Sequence, residues 1–152
     1  MDSRLFRDVM GQFATGITIV STKHDHEIQA MTVNAFMSVS LEPKLVAVSI
    51  DENASMYPIL QKEKKFGISI LSEEQKDLAM ICARQKEMDR EIPFIQMDGV
   101  PVIDYSIAVL SCKVDGTVKA GDHMIFIAEV TDLKLNKANP LLFHAGKYKA
   151  LE

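Results

Sequence analysis

Apolar residues near the start of the chain recur at intervals of three and four, which is helical spacing. The positions are Leu5, Phe6, Val9, Met10 and Phe13. This pattern predicts an amphipathic helix over residues 3–13, with Ser3 as its N-cap.

After Gly16 the pattern changes to β-branched segments typical of strands. Three of them follow one another: GITIVSTKH (16–24), EIQAMTVNAF (27–36) and KLVAVSID (44–51). The first two predict a hairpin whose polar turn is HDHE (24–27), with His24 and His26 as solvated turn residues. Pro43 ends a short extended piece before the third strand.

The middle of the chain carries two signals for helix starts. Ser55 is predicted to cap a short helix that has Pro58 in its first turn. SEEQ (72–75) is a capping box and predicts a helix running to about Arg84, while FGISIL (66–71) predicts a strand between the two helices.

Strand patterns dominate the remainder of the chain. QKEMDREIP (85–93) predicts a charged surface loop, and Gly99 with Pro101 marks a turn. A long hairpin is predicted over residues 105–135, with KAGD (119–122) as its turn.

These elements do not alternate regularly between strand and helix, so a doubly wound sheet is not expected. We predict a mainly β, α+β fold: an antiparallel β-barrel with peripheral helices, closed because open sheet edges are a liability. The length of 152 residues predicts one domain, residues 1–152.

Charge and cysteine content narrow the classes of partner. The net charge of −4 argues against nucleic acid or an anionic membrane as the main partner, because binding phosphates needs a basic surface. The N-terminus lacks the features of a signal peptide, and no run approaches the roughly 18 apolar residues of a membrane span. Cys82 and Cys112 lie far apart without metal-ligand spacing, so we expect no metal site and a reducing, cytoplasmic location.

The segment AMTVNAFMSVSLEP (30–43) is unusually rich in small polar groups for an apolar strand. Side chains alternate along a strand, so Thr32, Asn34 and Phe36 are predicted to share one face, joined by Ser38 and Ser40 if the chain stays extended. An unpaired buried hydroxyl or amide costs roughly 1–3 kcal/mol. The pattern leaves three partners open: solvent, neighbouring backbone and a polar ligand.

Two further segments could complete a ligand site. VSIDENAS (48–55) leads into a helix N-terminus, whose free N–H groups suit a phosphate; the alternative is a plain helix cap. In KAGDHMIF (119–126), Gly121 permits a tight turn and His123 opens a strand, facing the same way as Ile125 and Ile127; alternatively this histidine is structural. No hydrolase, phosphate-loop or metalloprotease motif is present.

Taken together, five segments resemble the flavin reductase-like family, whose fold is the FMN-binding split barrel. They are FRDVMGQFATGITIVST (6–22), AMTVNAFMSVSLEPKLVAVSID (30–51), FGISILSEEQKDLA (66–79), GDHMIFIAEV (121–130) and PLLFHAGKYKAL (140–151). The resemblance covers nearly the whole chain. Many relatives have serine in place of Ala35 and proline in place of Lys44.

The resemblance implies positions for a flavin and a nicotinamide. The strand matching Thr32, Val33, Asn34 and Ala35 runs beside the flavin ring. The segment matching Ser38, Val39 and Ser40 meets the ribityl chain and phosphate. The turn containing Asp51, Asn53 and Ser55 closes over the phosphate end, which Arg84 also reaches. His123 lies near the flavin and nicotinamide, and Phe143, His144 and Tyr148 approach the same cleft.

The resemblance also implies an activity. We expect an NAD(P)H:flavin oxidoreductase that binds FMN or FAD and accepts NADH or NADPH as co-substrate, with His123 as its catalytic residue. We expect a homodimer and a monooxygenase partner that receives reduced flavin. The alternatives are an FMN-binding electron carrier or sensor without turnover, and a ferric reductase.

Overall fold

The computed structural model describes all 152 residues. It contains three α-helices, α1 Ser3–Gly11, α2 Met56–Glu63 and α3 Lys76–Cys82, with a 3-10 turn over Glu73–Gln75 directly before α3. None of the three is long and apolar enough to cross a membrane.

Twelve strands make up most of the chain, which is 51% strand and therefore mainly β as predicted. They are β1 Thr15–Gly16, β2 Thr18–His24, β3 Glu27–Val33, β4 Phe36–Ser40, β5 Leu45–Asp51, β6 Lys65–Ile70, β7 Phe94–Met97, β8 Val100–Ile103, β9 Ala108–Ala120, β10 His123–Leu135, β11 Leu141–His144 and β12 Lys147–Ala150.

Seven of these strands form one antiparallel sheet in the order β3-β2-β6-β9-β10-β5-β4. Its two edge strands, β3 and β4, follow each other in the chain, so the sheet curls until its edges are joined only by the link Asn34–Ala35. No hydrogen-bonded ladder closes this seam. The predicted antiparallel split barrel is confirmed, whereas the expectation of full closure was wrong.

Two smaller β units flank the barrel. β1, β11 and β12 form a three-stranded sheet, and β7 and β8 form a hairpin. The sequence prediction missed β7 because FIQM is short and follows the charged loop. The hairpin packs closely on β6: a Cβ added to Gly67 would lie 2.3 Å from the Pro101 carbonyl oxygen.

Two apolar cores hold these layers together. The larger fills the barrel around Phe66 and Phe126, and the smaller lies between β2, α3 and β11, around Ile19 and Leu141. Removing such side chains from water stabilises the fold by roughly 25 cal/mol per Å². Helix α1 contributes no buried residue to either core.

The structure confirms one of two predicted helix caps and corrects the other. The capping box is confirmed, since the Ser72 N–H donates to Gln75 Oε1 at 2.9 Å. The N-cap of α1 is Asp2 rather than Ser3, because the Asp2 carboxylate accepts the Arg4 N–H at 2.9 Å.

The hairpin turn between β2 and β3 is confirmed, but one of its histidines is not solvated as predicted. Asp25 and His26 both have positive φ and form the turn. His24 is half-buried, and its Nδ1 lies 2.7 Å from Glu63 Oε2 at the end of α2. It therefore joins the hairpin to that helix.

Candidate functional site

The polar segment does not continue as one strand. β3 ends at Val33, and Asn34 with Ala35 bridges to β4 outside any ladder, so the predicted alternation through Phe36 was wrong. The Ala35 carbonyl accepts the Ser49 N–H at 3.0 Å, which fastens the link to β5. The Asn34 side chain is exposed and forms no hydrogen bond within the chain. It is free to meet a ligand.

Thr32 and Val33 are engaged by the protein itself. The Thr32 hydroxyl donates to the Ala79 carbonyl of α3 at 2.6 Å. Val33 is buried, and its carbonyl accepts the Thr18 hydroxyl at 2.5 Å. The sequence pattern left solvent, neighbouring backbone and a polar ligand open as partners of these groups. For Thr32 the partner is a backbone carbonyl, that of Ala79.

The edge strand β4 presents an open row of side chains. Ser38 and Val39 are exposed and Ser40 is half-buried, and neither serine hydroxyl bonds within the chain. The pairing with β5 shifts between Ser38 and Ser40, which marks a bulge. Bulges occur next to functional sites because they redirect side chains.

The β5–α2 turn lies beside the start of β10, where Asp51 pairs with His123. The Glu52 N–H donates to the Asp122 carbonyl at 3.0 Å, and the Glu52 carboxylate pairs with Lys119. The structure therefore brings the predicted segments 48–55 and 119–126 into contact.

At the β5–α2 turn, two details differ from the predicted phosphate site. Asp51 Oδ1 already accepts the Asn53 N–H at 2.8 Å, so this donor is occupied. Ser55 precedes α2, but its side chain makes no capping hydrogen bond because the residue already has helical dihedral angles. Its exposed hydroxyl is unpaired within the chain.

His123 opens β10, as the pattern predicted, and is 40% exposed at its side chain. Its Nδ1 lies 2.8 Å from Asp122 Oδ1. This hydrogen bond lowers the pKa of the Asp122 carboxyl. With Nδ1 held by the carboxylate, Nε2 is the ring nitrogen left to interact with a ligand.

The C-terminal hairpin carries the other predicted residues. The rings of Phe143 and Tyr148 meet edge to face, with centroids 5.3 Å apart. The Tyr148 hydroxyl donates to Gln85 Oε1 at 2.8 Å, and burial raises the pKa of Tyr148. His144 is half-buried and pairs with Lys147 across the hairpin.

Arg84 and Gln85 lie just after α3 and line a cleft of about 550 Å³, which the sequence pattern did not predict. Cys82 is in its wall, where burial raises the pKa of the thiol to about 11. The only signal was the charged loop 85–93, which reads equally well as a solvated surface.

The predicted residues thus form two groups. One extends along β4 and β5 from the seam of the barrel, with Ser40 opposite Leu45 at one end of β5 and His123 opposite Asp51 at the other, and consists of Asn34, Ala35, Ser38, Val39, Ser40, Asp51, Asn53, Ser55 and His123. The other lies towards α3 and the C-terminal hairpin and consists of Arg84, Phe143, His144 and Tyr148. Thr32 links the two, because it belongs to β3 and bonds to α3.

Comparison with known proteins gives the family. Residues 10–152 match the family described as "Flavin reductase like domain". This match spans nearly the whole chain, so the protein belongs to that family.

Individual relatives are similar over almost their full length. The NADH-dependent flavin reductase StyB of Pseudomonas fluorescens is 37% identical over 153 residues, covering 97% of this chain and 89% of the relative. The reductase subunit HsaB of a flavin-dependent monooxygenase from Mycobacterium tuberculosis is 33% identical over 161 residues, covering 100% and 84%. The solved flavin reductase PheA2, in its native state, is 50% identical with a TM-score of 0.97, covering 100% of this chain and 99% of that one.

Proposed function

We propose that this protein is an NADH-dependent flavin reductase. It binds FMN or FAD at the seam of the barrel, transfers a hydride from the nicotinamide to the flavin, and supplies reduced flavin to a monooxygenase. The observation that carries this proposal is the set of free polar side chains at the seam, Asn34, Ser38 and Ser40, in a chain that belongs to the flavin reductase-like family.

In this proposal each group at the seam has a role. Asn34 and the backbone around Ala35 hydrogen-bond the polar edge of the flavin ring. Ser38 and Ser40 hold the ribityl chain and phosphate, while Ser55, beyond the opposite end of β5, offers a separate donor at the α2 N-terminus. Asp51 keeps the β5–α2 turn in shape by accepting the Asn53 N–H.

In this proposal His123 contacts the nicotinamide. Its Nδ1 is held by Asp122, so the ring orientation is set before the co-substrate arrives. The flavin, when bound, supplies the hydride-accepting chemistry, and the protein supplies binding and orientation. This division explains why no paired acid and base is needed here.

The C-terminal hairpin is proposed to close the site. The Phe143–Tyr148 pair and the Tyr148–Gln85 hydrogen bond hold β11 and β12 against the end of α3. His144 stands at the end of β11 beside them.

We further propose a homodimer of one-domain chains in the cytoplasm. The apolar face of α1 supports the dimer, because Leu5, Phe6, Val9 and Met10 are each more than half exposed and nothing in the chain covers them. Free Cys82 and Cys112 suit a reducing compartment. Sedimentation velocity should give twice the chain mass; a monomer at all concentrations would refute the dimer.

Steady-state oxidation of NADH and NADPH with FMN, FAD or riboflavin tests the function. We expect NADH to be consumed at a rate that rises with added flavin. If the protein binds flavin but the flavin stays oxidised under NADH, the protein is an electron carrier or sensor and the proposed turnover is wrong.

A further inference from the structure

The two-residue link Asn34–Ala35, which carries the chain across the seam, is held on both sides by the protein. The Asn34 carbonyl accepts the Phe36 N–H at 3.0 Å, which makes a γ-turn centred on Ala35. The Ala35 carbonyl accepts the Ser49 N–H at 3.0 Å, which fastens the far side of the link to β5. The near side is held through Val33, the last residue of β3.

Thr18 holds that last residue with a side-chain hydrogen bond. Its hydroxyl donates to the Val33 carbonyl at 2.5 Å, and the two residues are partners in the β2–β3 ladder. On its other side Thr18 pairs with Ile70 of β6, so it stands in an interior strand of the sheet. The end of β3 is thereby tied to a rigid part of the barrel.

The Thr18 hydroxyl stands at a position where an apolar side chain would be expected. Thr18 is 3% exposed, and Val20, on the same face of β2, belongs to the barrel core. A buried hydroxyl is costly without a partner, whereas valine has nearly the same shape and carries no polar group. The hydrogen bond to Val33 is therefore what a threonine adds at this position.

The link itself leaves three hydrogen-bond donors uncommitted. The backbone N–H groups of Asn34 and Ala35 find no acceptor within the chain, and neither does the exposed Asn34 amide. All three belong to one short link, so a shift at the end of β3 moves them together. Their direction depends on the bond between Thr18 and Val33.

We propose that Thr18 is a positioning residue of the flavin site and acts through Asn34. It fixes the end of β3, and the link then presents the Asn34 amide to the flavin ring in one direction. A binding group works well only when a second layer of residues holds it in place. Thr18 is buried, so it acts without touching the flavin. The inference rests on the proposed function, because it needs flavin at the seam.

Thr22 provides a matched control on the same strand. It is 2% exposed, lies on the same face of β2 as Thr18, and its hydroxyl also donates to a backbone carbonyl, that of Lys65 at 2.7 Å. Lys65 is the first residue of β6, and the β3 partner of Thr22 is Gln29, towards the hairpin turn. Thr22→Val therefore removes the same kind of bond away from the link.

Calorimetric titration of the full-length protein with FMN and with FAD tests the positioning role. Thr18→Val should raise the Kd for flavin about 5-fold, which is the effect of losing one ordinary hydrogen bond. Thr18→Ser keeps the hydroxyl and should retain the wild-type Kd. Thr22→Val should lower the Tm about as much as Thr18→Val does and leave the Kd unchanged. Thr18→Ala removes the hydroxyl in a smaller side chain and should raise the Kd likewise, which covers a failure of the valine variant to fold.

A double variant tests whether Thr18 acts through Asn34. In an Asn34→Ala background, Thr18→Val should raise the flavin Kd by less than about twofold. A further rise of about 5-fold would show that the two residues act independently and would overturn the proposal. An unchanged Kd in folded Thr18→Val or Thr18→Ala would overturn it too, as would an equal rise in Thr22→Val.

The same titrations separate this inference from the proposed function. A wild-type Kd in Asn34→Ala would refute the proposed flavin site. A raised Kd in Asn34→Ala together with a wild-type Kd in Thr18→Val would refute the positioning role alone. Flavin binding needs no turnover, so flavin binding without NADH oxidation would refute the proposed reductase activity and not the role of Thr18.

Discussion

The hydroxyl of Thr32 donates a 2.6 Å hydrogen bond to the carbonyl of Ala79, joining β3 to α3. Thr32 stands two residues before Asn34 at the seam, and Ala79 stands on the helix that leads to Arg84. One side-chain contact therefore joins the strand that leads to the proposed flavin site to the helix that precedes Arg84.

Replacing Thr32 with valine tests how much this contact stabilises the fold. The change keeps the shape and removes the donor, so we expect a loss of about 1 kcal/mol in the free energy of unfolding. Urea denaturation measures it, with Thr32→Ser as the control that retains the hydroxyl. Equal stabilities for the valine and serine variants would mean that the bond contributes nothing.

The packing of the β7–β8 hairpin on the barrel depends on Gly67. An added Cβ would lie 2.3 Å from the Pro101 oxygen and 2.6 Å from Val102 Cγ1, so Gly67→Ala should destabilise the protein by about 3 kcal/mol. Gly116 is the matched control, because nothing lies within 4 Å of a Cβ built there. A similar small effect of both substitutions in thermal unfolding would show that the hairpin yields easily.

Burial of Cys112 predicts a loss of stability in alkali. Burial raises the pKa of the thiol from 9.0 to about 12. Between these values the unfolded chain has lost this proton and the folded chain has kept it, so the free energy of unfolding falls by up to about 1.4 kcal/mol per pH unit. Denaturation at pH 9, 10 and 11 should show a shallower fall for Cys112→Ala. Parallel profiles would contradict the assigned burial.

Flavin binding and hydride transfer should respond to different substitutions. Asn34→Ala removes a donor to the flavin and should raise the flavin Kd about 10-fold. His123→Ala should lower the rate of hydride transfer about 10-fold and leave the flavin Kd unchanged. His26→Asn, at an exposed turn, is the histidine control. Wild-type flavin affinity and turnover in both site variants would show that these residues are misplaced.

The spacing of apolar residues and the helix-capping signals predicted much of the fold. The spacing of Leu5, Phe6 and Val9 gave α1, and the capping box at Ser72 gave the start of the α3 region. Strand β7 was not predicted, because the four residues after Pro93 are too few to show a clear alternation of apolar and polar side chains. These signals are local, so what they reveal is local structure.

The site was harder to predict because its key relationships are not local. The alternation of side chains expected of a strand continues without interruption from Val33 to Phe36 in the sequence. It therefore gave no sign that β3 ends at Val33. The partner of Thr32 is 47 residues away in the chain. The left-handed conformation of Arg84 gives no sequence signal, because it occurs at an arginine instead of a glycine.

We propose above that this protein passes a hydride from NADH to flavin. Anaerobic rapid mixing of the protein with FMN or FAD and excess NADH tests it most directly, by following the visible absorbance of oxidised flavin. We expect complete bleaching within the turnover time of the wild type and markedly slower bleaching with His123→Ala. Flavin that binds yet keeps its oxidised spectrum in excess NADH would contradict it.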